Sequence, residues 1–138
     1  MKKKNCLNFK TRKLTRLLTR IYDAELSNAG LKSTQFTLLC HVLSYGPAKL
    51  GYIAQRMGLE QSTLSRNLRP LVDAGWIAYS LTSDARQKLL CLTPEGQRKQ
   101  AEADIYWGVE QEKIKTLLGA SHFDQLDLIV NICIDKLD

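Results

Sequence analysis

The stretch LGYIAQRMGLEQSTLSRNLRPLVDAG, residues 50–75, decides the fold of this chain. Its first part has apolar residues at helical spacing, namely Leu50, Ile53, Ala54 and Met57. Gly58 follows where a left-handed residue is needed to end a helix, and a second helical pattern begins three residues later, at Gln61. The stretch therefore predicts two helices joined by a tight turn, the helix-turn-helix arrangement.

The second of these helices has two opposed faces. On a helical wheel that starts at Leu64, the other apolar residues fall within about 80° of it: Leu68, Leu71 and Val72. The opposite side, at about 140° to 200°, carries Ser62, Arg66 and Arg69. Hydroxyl and guanidinium groups hydrogen-bond to base edges and phosphates in the DNA major groove, so this face predicts DNA binding.

Pro70 is an unusual residue inside this pattern, because its ring removes the hydrogen bond to the Arg66 carbonyl. The wheel puts Pro70 on the solvent side, where water can reach the freed carbonyl, so we expect a bent but continuous helix. The alternative is that the helix ends at Arg69.

Two short apolar segments follow, WIAYSL at 76–81 and KLLCL at 88–92, separated by the polar TSDARQ. They predict a β-hairpin wing. Within its loop, Asp84 and Arg86 lie two residues apart and could form an ion pair that aims the guanidinium outwards. An arginine held in this way suits a narrow minor groove.

Long helices are predicted at both ends of the chain, over 7–30 and 94–138, around a winged helix-turn-helix lobe at 33–93. Ser33 or Thr34 is the expected cap of the first lobe helix, and Thr93 before Pro94 is a start signal for the long helix after the wing. The fold class is thus mainly α with a small β-hairpin wing, in one domain over residues 1–138.

The terminal helices carry apolar stripes that one domain cannot cover. These are Leu14, Leu17, Leu18 and Ile21 in the first helix and Leu126, Ile129, Val130 and Cys133 in the last. We expect them to form a homodimer core, which would place two recognition helices about 34 Å apart, one turn of DNA. The alternative is a monomer in which the last stripe packs on the first helix.

Charge agrees with a polyanionic partner but does not identify it. The net charge is +6 with a pI near 9.2, and residues 1–22 hold eight Lys/Arg and no acid, whereas residues 94–138 hold nine acids and five Lys/Arg. Two alternatives stay open: a basic protein-interaction or membrane-surface module acting through residues 1–22, and an architectural DNA-binding protein without sequence preference.

Other functional classes find little support in the sequence. No run is long and apolar enough for a membrane span, and four widely spaced cysteines do not form a disulfide framework, so we expect a cytoplasmic protein. The two histidines make no metal-binding spacing with the cysteines, and there is no glycine-rich phosphate loop. We expect no enzyme activity, no metal and no cofactor.

The chain resembles the MarR family of winged-helix regulators. The resemblance is carried by LKSTQFTLL at 31–39, LGYIAQRMGLEQSTLSRNLRPLVDAGWI at 50–77 and SDARQKLLCLTPEGQ at 83–97, in that order. It implies a homodimeric transcription regulator, with repression as the expected direction, whose recognition helices enter successive major grooves and whose wing arginines enter the minor groove. The predicted DNA-binding residues are Gln61, Ser62, Thr63, Ser65, Arg66, Arg69, Asp84, Arg86 and Lys88.

The wing departs from the family pattern. Where many members carry further basic residues, this chain has Ala78, Tyr79, Ser80 and Ala85. Wing binding is therefore expected to be weaker, and the helix and the basic N-terminus to carry more of the affinity.

The resemblance to this family also implies how the protein is regulated: a small ligand, such as an aromatic compound, or an oxidant releases it from DNA. Cys6 lies in an electropositive stretch near the start of the first helix, which favours the reactive thiolate, so Cys6 is a possible redox sensor. CLNFKTRKLTRLLTRIY is similar to the corresponding segment of organic-hydroperoxide sensors in the family. Alignment on Phe9 and Tyr22, however, puts Asn8 where their reactive cysteine lies.

Overall fold

The computed structural model describes residues 5–81 and 88–138. Its α-helices are α1 (Leu7–Leu26), α2 (Ser33–Tyr45), α3 (Leu50–Met57), α4 (Gln61–Asp73), α5 (Pro94–Leu118) and α6 (Ala120–Leu137). A 3-10 turn at Ser27–Ala29 follows α1, and the strands are β1 (Ala48–Lys49), β2 (Ile77–Leu81) and β3 (Lys88–Leu92). This order confirms the predicted fold class, a mainly helical chain with a small β-hairpin wing.

The strands form one antiparallel sheet in the order β1-β3-β2. Strands β2 and β3 make the predicted hairpin, with Ile77 opposite Leu92 and Tyr79 opposite Leu90. Strand β1 was not predicted, because two residues are too few to show an alternating pattern. Its Ala48 pairs with Leu90, so the wing is joined to the backbone just before α3.

The helix-turn-helix forms as predicted, around a core of fully buried leucines. Leu64, Leu68 and Leu71 of α4 are completely buried, and Gly58 has the left-handed φ of 65° that reverses the chain after α3. Helix α4 continues through Pro70 to Asp73, so the alternative end at Arg69 is wrong. Pro70 is exposed, as the wheel predicts, so the solvent-facing side of α4 accommodates the missing hydrogen bond.

Two helix starts show how α1 and the wing are attached to their neighbours. The expected cap of α2 is wrong: Ser33 is its first helical residue, and the Ser33 backbone N–H donates to Asp23 Oδ1 of α1 at 2.7 Å. The expected cap of α5 is confirmed, because Thr93 Oγ1 accepts from the Gly96 N–H at 3.0 Å. Asp23 was missed because it lies ten residues before the helix that it caps.

No residue of α6 is fully buried within the chain, and most of its apolar stripe is exposed. Ile129 and Val130 are 58% and 43% exposed, and Cys133 is exposed, while Leu126 is half-buried. In α1, Leu17 is exposed and Leu14, Leu18 and Ile21 are half-buried. The division into dimerisation helices at 7–30 and 94–138 and a lobe at 33–93 stays a prediction.

Exposed apolar surface continues onto α5, where Ile105 is 70% exposed and Leu117 is 79% exposed. Among the described helices, no single one is long and apolar enough to cross a membrane. Only α5 and α6 taken together meet that criterion, and they are bent by 108° at the break between them.

Candidate nucleic-acid interface

The exposed side of α4 is the predicted recognition face. Thr63 is half-buried. The other five predicted side chains of α4 are exposed, namely Gln61, Ser62, Ser65, Arg66 and Arg69. Because the opposite side is held by fully buried leucines, α4 cannot rotate to hide the polar face without exposing its core. The structure therefore brings the hydroxyl and guanidinium groups together on one free surface.

At the start of α4, the side chain of Gln61 lies close to Gly51 of α3. The Gln61 Nε2 atom lies 2.9 Å from the position that a Cβ atom on Gly51 would occupy. A larger residue at position 51 would displace this side chain. Gln61 is therefore exposed and also lies against α3.

The described part of the wing carries one of its predicted contacts. Lys88 is exposed at the first residue of β3, and its Nζ lies 5.7 Å from the centre of the Tyr79 ring on β2. A cation over an aromatic ring is favourable, so Tyr79 helps to hold the Lys88 ammonium on the wing surface. Asp84 and Arg86 lie outside the described residues, and their ion pair stays a prediction.

A second exposed group on this lobe was missed by sequence reasoning. Arg56 of α3 donates from Nη2 to the Tyr45 hydroxyl at 2.9 Å, and its guanidinium carbon lies 4.6 Å from the centre of the Tyr45 ring. The rings of Tyr45 and Tyr52 are T-shaped to each other, with their centres 6.0 Å apart. Tyr52 and Arg56 are four residues apart on α3, a spacing that puts them on one face of the helix. The sequence could therefore have indicated this pair, but not its contact with Tyr45.

A cavity of about 300 Å³ lies where α1, α2 and α5 meet. It is lined by Tyr22, Leu26, Ser33, Phe36, Thr37, Cys40 and Trp107. The rings of Phe36 and Trp107 are 6.3 Å apart and inclined by 35°. Since these residues come from three separate helices, no local sequence pattern pointed to the cavity.

The pKa values of two groups in the cavity lining, the Cys40 thiol and the Tyr22 phenol, are raised. Burial raises the pKa of the Cys40 thiol; a hydrogen bond from Gln100 Nε2 at 3.6 Å opposes this shift, and the charge of Asp104 adds to it. Burial also raises the pKa of the Tyr22 phenol, and the nearby Glu110 carboxylate raises it further. The thiol and the phenol are therefore more firmly protonated than their ordinary counterparts.

Cys6 lies outside this cavity, at the residue that caps the N-terminus of α1. It is half-buried and free, and its carbonyl accepts from the Lys10 N–H at 3.2 Å. Its redox role stays a prediction.

These features define a winged helix-turn-helix protein, and comparison with known proteins shows which family it resembles. The model of the MarR family matches residues 31–88. A Bacillus subtilis (strain 168) protein described as the uncharacterized HTH-type transcriptional regulator YwoH is 29% identical over 90 residues. That match covers 65% of this chain and 66% of the relative. These matches confirm the resemblance to the MarR family of DNA-binding transcription regulators, whose members are not enzymes.

Solved structures agree with this assignment over nearly the whole chain. The M. tuberculosis regulator MosR in complex with DNA is 28% identical with a TM-score of 0.75, over 94% of this chain and 98% of that one. Bordetella bronchiseptica BpsR, whose DNA binding is regulated by 6-hydroxynicotinic acid, is 18% identical with a TM-score of 0.86, over 98% and 97%. The BpsR likeness shows the fold alone.

Proposed function

We propose that this chain binds a pseudo-palindromic operator as a homodimer, represses transcription from it, and is released by a small ligand or an oxidant. The observation that carries the proposal is α4, whose exposed Ser/Arg face lies opposite a fully buried leucine face. Such a helix presents hydrogen-bond donors and positive charge to a major groove while its core holds it rigid. MosR, a structural relative of this chain, has been solved on DNA.

The homodimer is supported by the uncovered apolar surface of the terminal helices. Helix α6 buries no residue within the chain, and exposed Ile129, Ile132 and Ile134 lie along it. Exposed apolar residues in such number mark an interface, and a second copy of the chain offers a surface of the same kind. The symmetry of such a dimer would match that of an inverted repeat with half-sites about one turn apart.

Repression follows from the geometry of a dimer on a promoter, because the bound protein excludes polymerase from the same DNA. Such a regulator would act on chromosomal DNA in the cytoplasm. Release by a ligand is supported by the cavity, which lies between α1, in the predicted dimer region, and α2 of the DNA-binding lobe. A molecule bound there would bias the angle between the two regions and hence the spacing of the recognition helices.

The test is selection of bound duplexes from a random DNA library at about 150 mM salt, followed by sequencing. We expect enrichment of an inverted repeat with half-sites one turn apart. The double variant Arg66→Ala, Arg69→Ala should lose that enrichment while it keeps weak, salt-sensitive binding. If the wild type itself shows salt-sensitive binding without enrichment, the protein is a non-specific DNA binder and the proposal fails.

A further inference from the structure

The cavity between α1, α2 and α5 has the size and walls of a site for a flat ring system. Its volume of about 300 Å³ is roughly twice the ~150 Å³ of a cavity that takes up benzene. Phe36 and Trp107 supply aromatic walls, and Leu26 supplies an aliphatic one. These dimensions fit one ring or two fused rings.

Two hydroxyl groups in the lining already use their protons in hydrogen bonds within the chain. The Tyr22 hydroxyl donates to Gln111 Oε1, and Thr37 Oγ1 donates to the Ser33 carbonyl at 2.9 Å. Because a hydroxyl has a single proton, both oxygens can now act only as hydrogen-bond acceptors towards a ligand. A ligand with an O–H or N–H group can donate to these two oxygens, whereas a carboxylate, which only accepts, finds no proton on them.

The charge around the cavity is also unfavourable for an anion. None of the seven lining residues is Lys, Arg or His. The carboxylates of Glu110 and Asp104 are close enough to raise the pKa values of Tyr22 and Cys40. The ammonium of Lys113 lies 3.5 Å from a Glu110 oxygen and 3.8 Å from a Glu25 oxygen, so its charge is shared between two carboxylates.

The N-terminus of α2 would attract an anion into the cavity wall, but a carboxylate of the chain itself already occupies it. Helix α2 begins at Ser33, in the cavity wall, and a helix N-terminus favours negative charge. The Asp23 carboxylate accepts the Ser33 N–H at 2.7 Å and supplies that charge. A carboxylate ligand would have to compete with Asp23 for the Ser33 amide and would be repelled by the Asp23 carboxylate.

We propose that this cavity binds uncharged aromatic molecules of one or two rings that carry a hydrogen-bond donor, and that it discriminates against aromatic carboxylates. The proposal rests on the proposed function, in which a small ligand releases the operator, and adds the chemical class of that ligand. It separates this chain from BpsR, which responds to an aromatic acid.

The test is calorimetric titration of the full-length protein at neutral pH with a matched pair of probes, naphthalene-2-carboxamide and naphthalene-2-carboxylate. The two share their ring system and differ in charge and in the N–H donor. We expect the carboxamide to bind at least tenfold more tightly than the carboxylate. Equal affinities, a preference for the carboxylate, or no binding of either probe would overturn the proposal.

A variant that adds a cation to the lining tests the role of charge. Thr37 is exposed at the edge of the cavity, so Thr37→Arg can be made without disturbing the core. We expect it to raise carboxylate affinity at least tenfold. Ser44→Arg, which adds the same charge at an exposed position of α2 outside the lining, should keep the wild-type preference. If Thr37→Arg gives no gain, charge does not exclude carboxylates and the proposal is wrong.

DNA binding by the ligand-free protein separates this proposal from the proposed function. If the ligand-free protein selects no operator, the proposed function fails, whatever the probes do. If it selects an operator but binds the carboxylate at least as well as the carboxamide, only the ligand class is wrong. Release of the selected operator by the carboxamide, and not by the carboxylate, would support both.

Discussion

Gly96 packs directly against the carbonyl group of Trp76, so closely that a Cβ atom at position 96 would overlap the carbonyl oxygen. The same carbonyl accepts the Thr93 N–H at 3.0 Å, and Thr93 Oγ1 donates to the Gly75 carbonyl at 2.5 Å. The beginning of α5 is thereby fastened to the start of the wing. The glycine in the LTPEG segment is explained by this close approach of two backbones.

Gly96→Ala should lower the free energy of unfolding by about 1–3 kcal/mol, because the backbone of Trp76 must move to admit the methyl group. Urea unfolding followed by circular dichroism measures the change. Gly108→Ala is the matched control in the same helix, since nothing lies within 4 Å of its added Cβ. It should leave stability unchanged or raise it by up to about 1 kcal/mol. Equal losses in both variants would contradict the explanation.

Arg66→Ala and Arg69→Ala should each weaken binding to the selected operator by about 1–3 kcal/mol, or roughly 5- to 150-fold. The reason is that both guanidinium groups lie on the free face of α4. Fluorescence anisotropy at fixed salt measures the loss. Arg98→Ala removes the same charge from an exposed site on α5, where it pairs with Glu95, and should change affinity little. Similar losses in all three variants would indicate a general charge effect.

Ile129→Asp should convert the dimer into a monomer and abolish tight operator binding, because it places a carboxylate in the proposed apolar interface. Sedimentation velocity gives the mass of the species in solution. Asn131→Asp adds the same charge on another side of α6, where the amide contacts Asp127, and should stay dimeric. A dimeric Ile129→Asp protein would place the interface elsewhere.

Peroxide should release wild-type protein from its operator, and Cys6→Ser should resist that release, if Cys6 is the oxidant sensor. The thiol lies at the residue that precedes the first turn of α1, and it is free and half-buried. Operator binding before and after treatment, with reversal by a thiol reductant, is the measurement. Identical responses of the two proteins would remove Cys6 from the mechanism and leave release to ligands.

Alkaline pH should destabilise the protein partly through Cys40. Burial raises the pKa of this thiol, so the folded chain holds the proton more tightly than the unfolded chain. Its contribution to stability is complete below the ordinary thiol pKa of about 8.5 and is lost as pH rises through the higher folded value. Urea unfolding at a series of pH values should show a shallower decline for Cys40→Ala. An unchanged decline would show that Cys40 does not contribute.

Local sequence is sufficient for most of the elements and for the recognition face. The leucines of α4 repeat at helical spacing, Gly58 marks the end of a helix and Thr93 marks the beginning of one. Each of these signals lies within one or two helical turns of sequence, so a local pattern is enough to predict the feature. The polar face of α4 follows from the same periodicity, because side chains opposite a buried stripe face the solvent.

Contacts between segments that are distant in the sequence could not be predicted from local patterns and appear only in the tertiary structure. Strand β1 exists because β3 offers it a partner, and Asp23 caps α2 because α1 turns back beside it. The cavity combines Tyr22, Phe36 and Trp107, which lie on three different helices. Tyr22 and Trp107 are 85 positions apart in the sequence. Periodicity reports which side of an element is apolar, whereas a cavity is the volume that separate elements leave unfilled when they meet. Its hydrogen-bond polarity and charge depend on that meeting, and so does the class of ligand that it can hold.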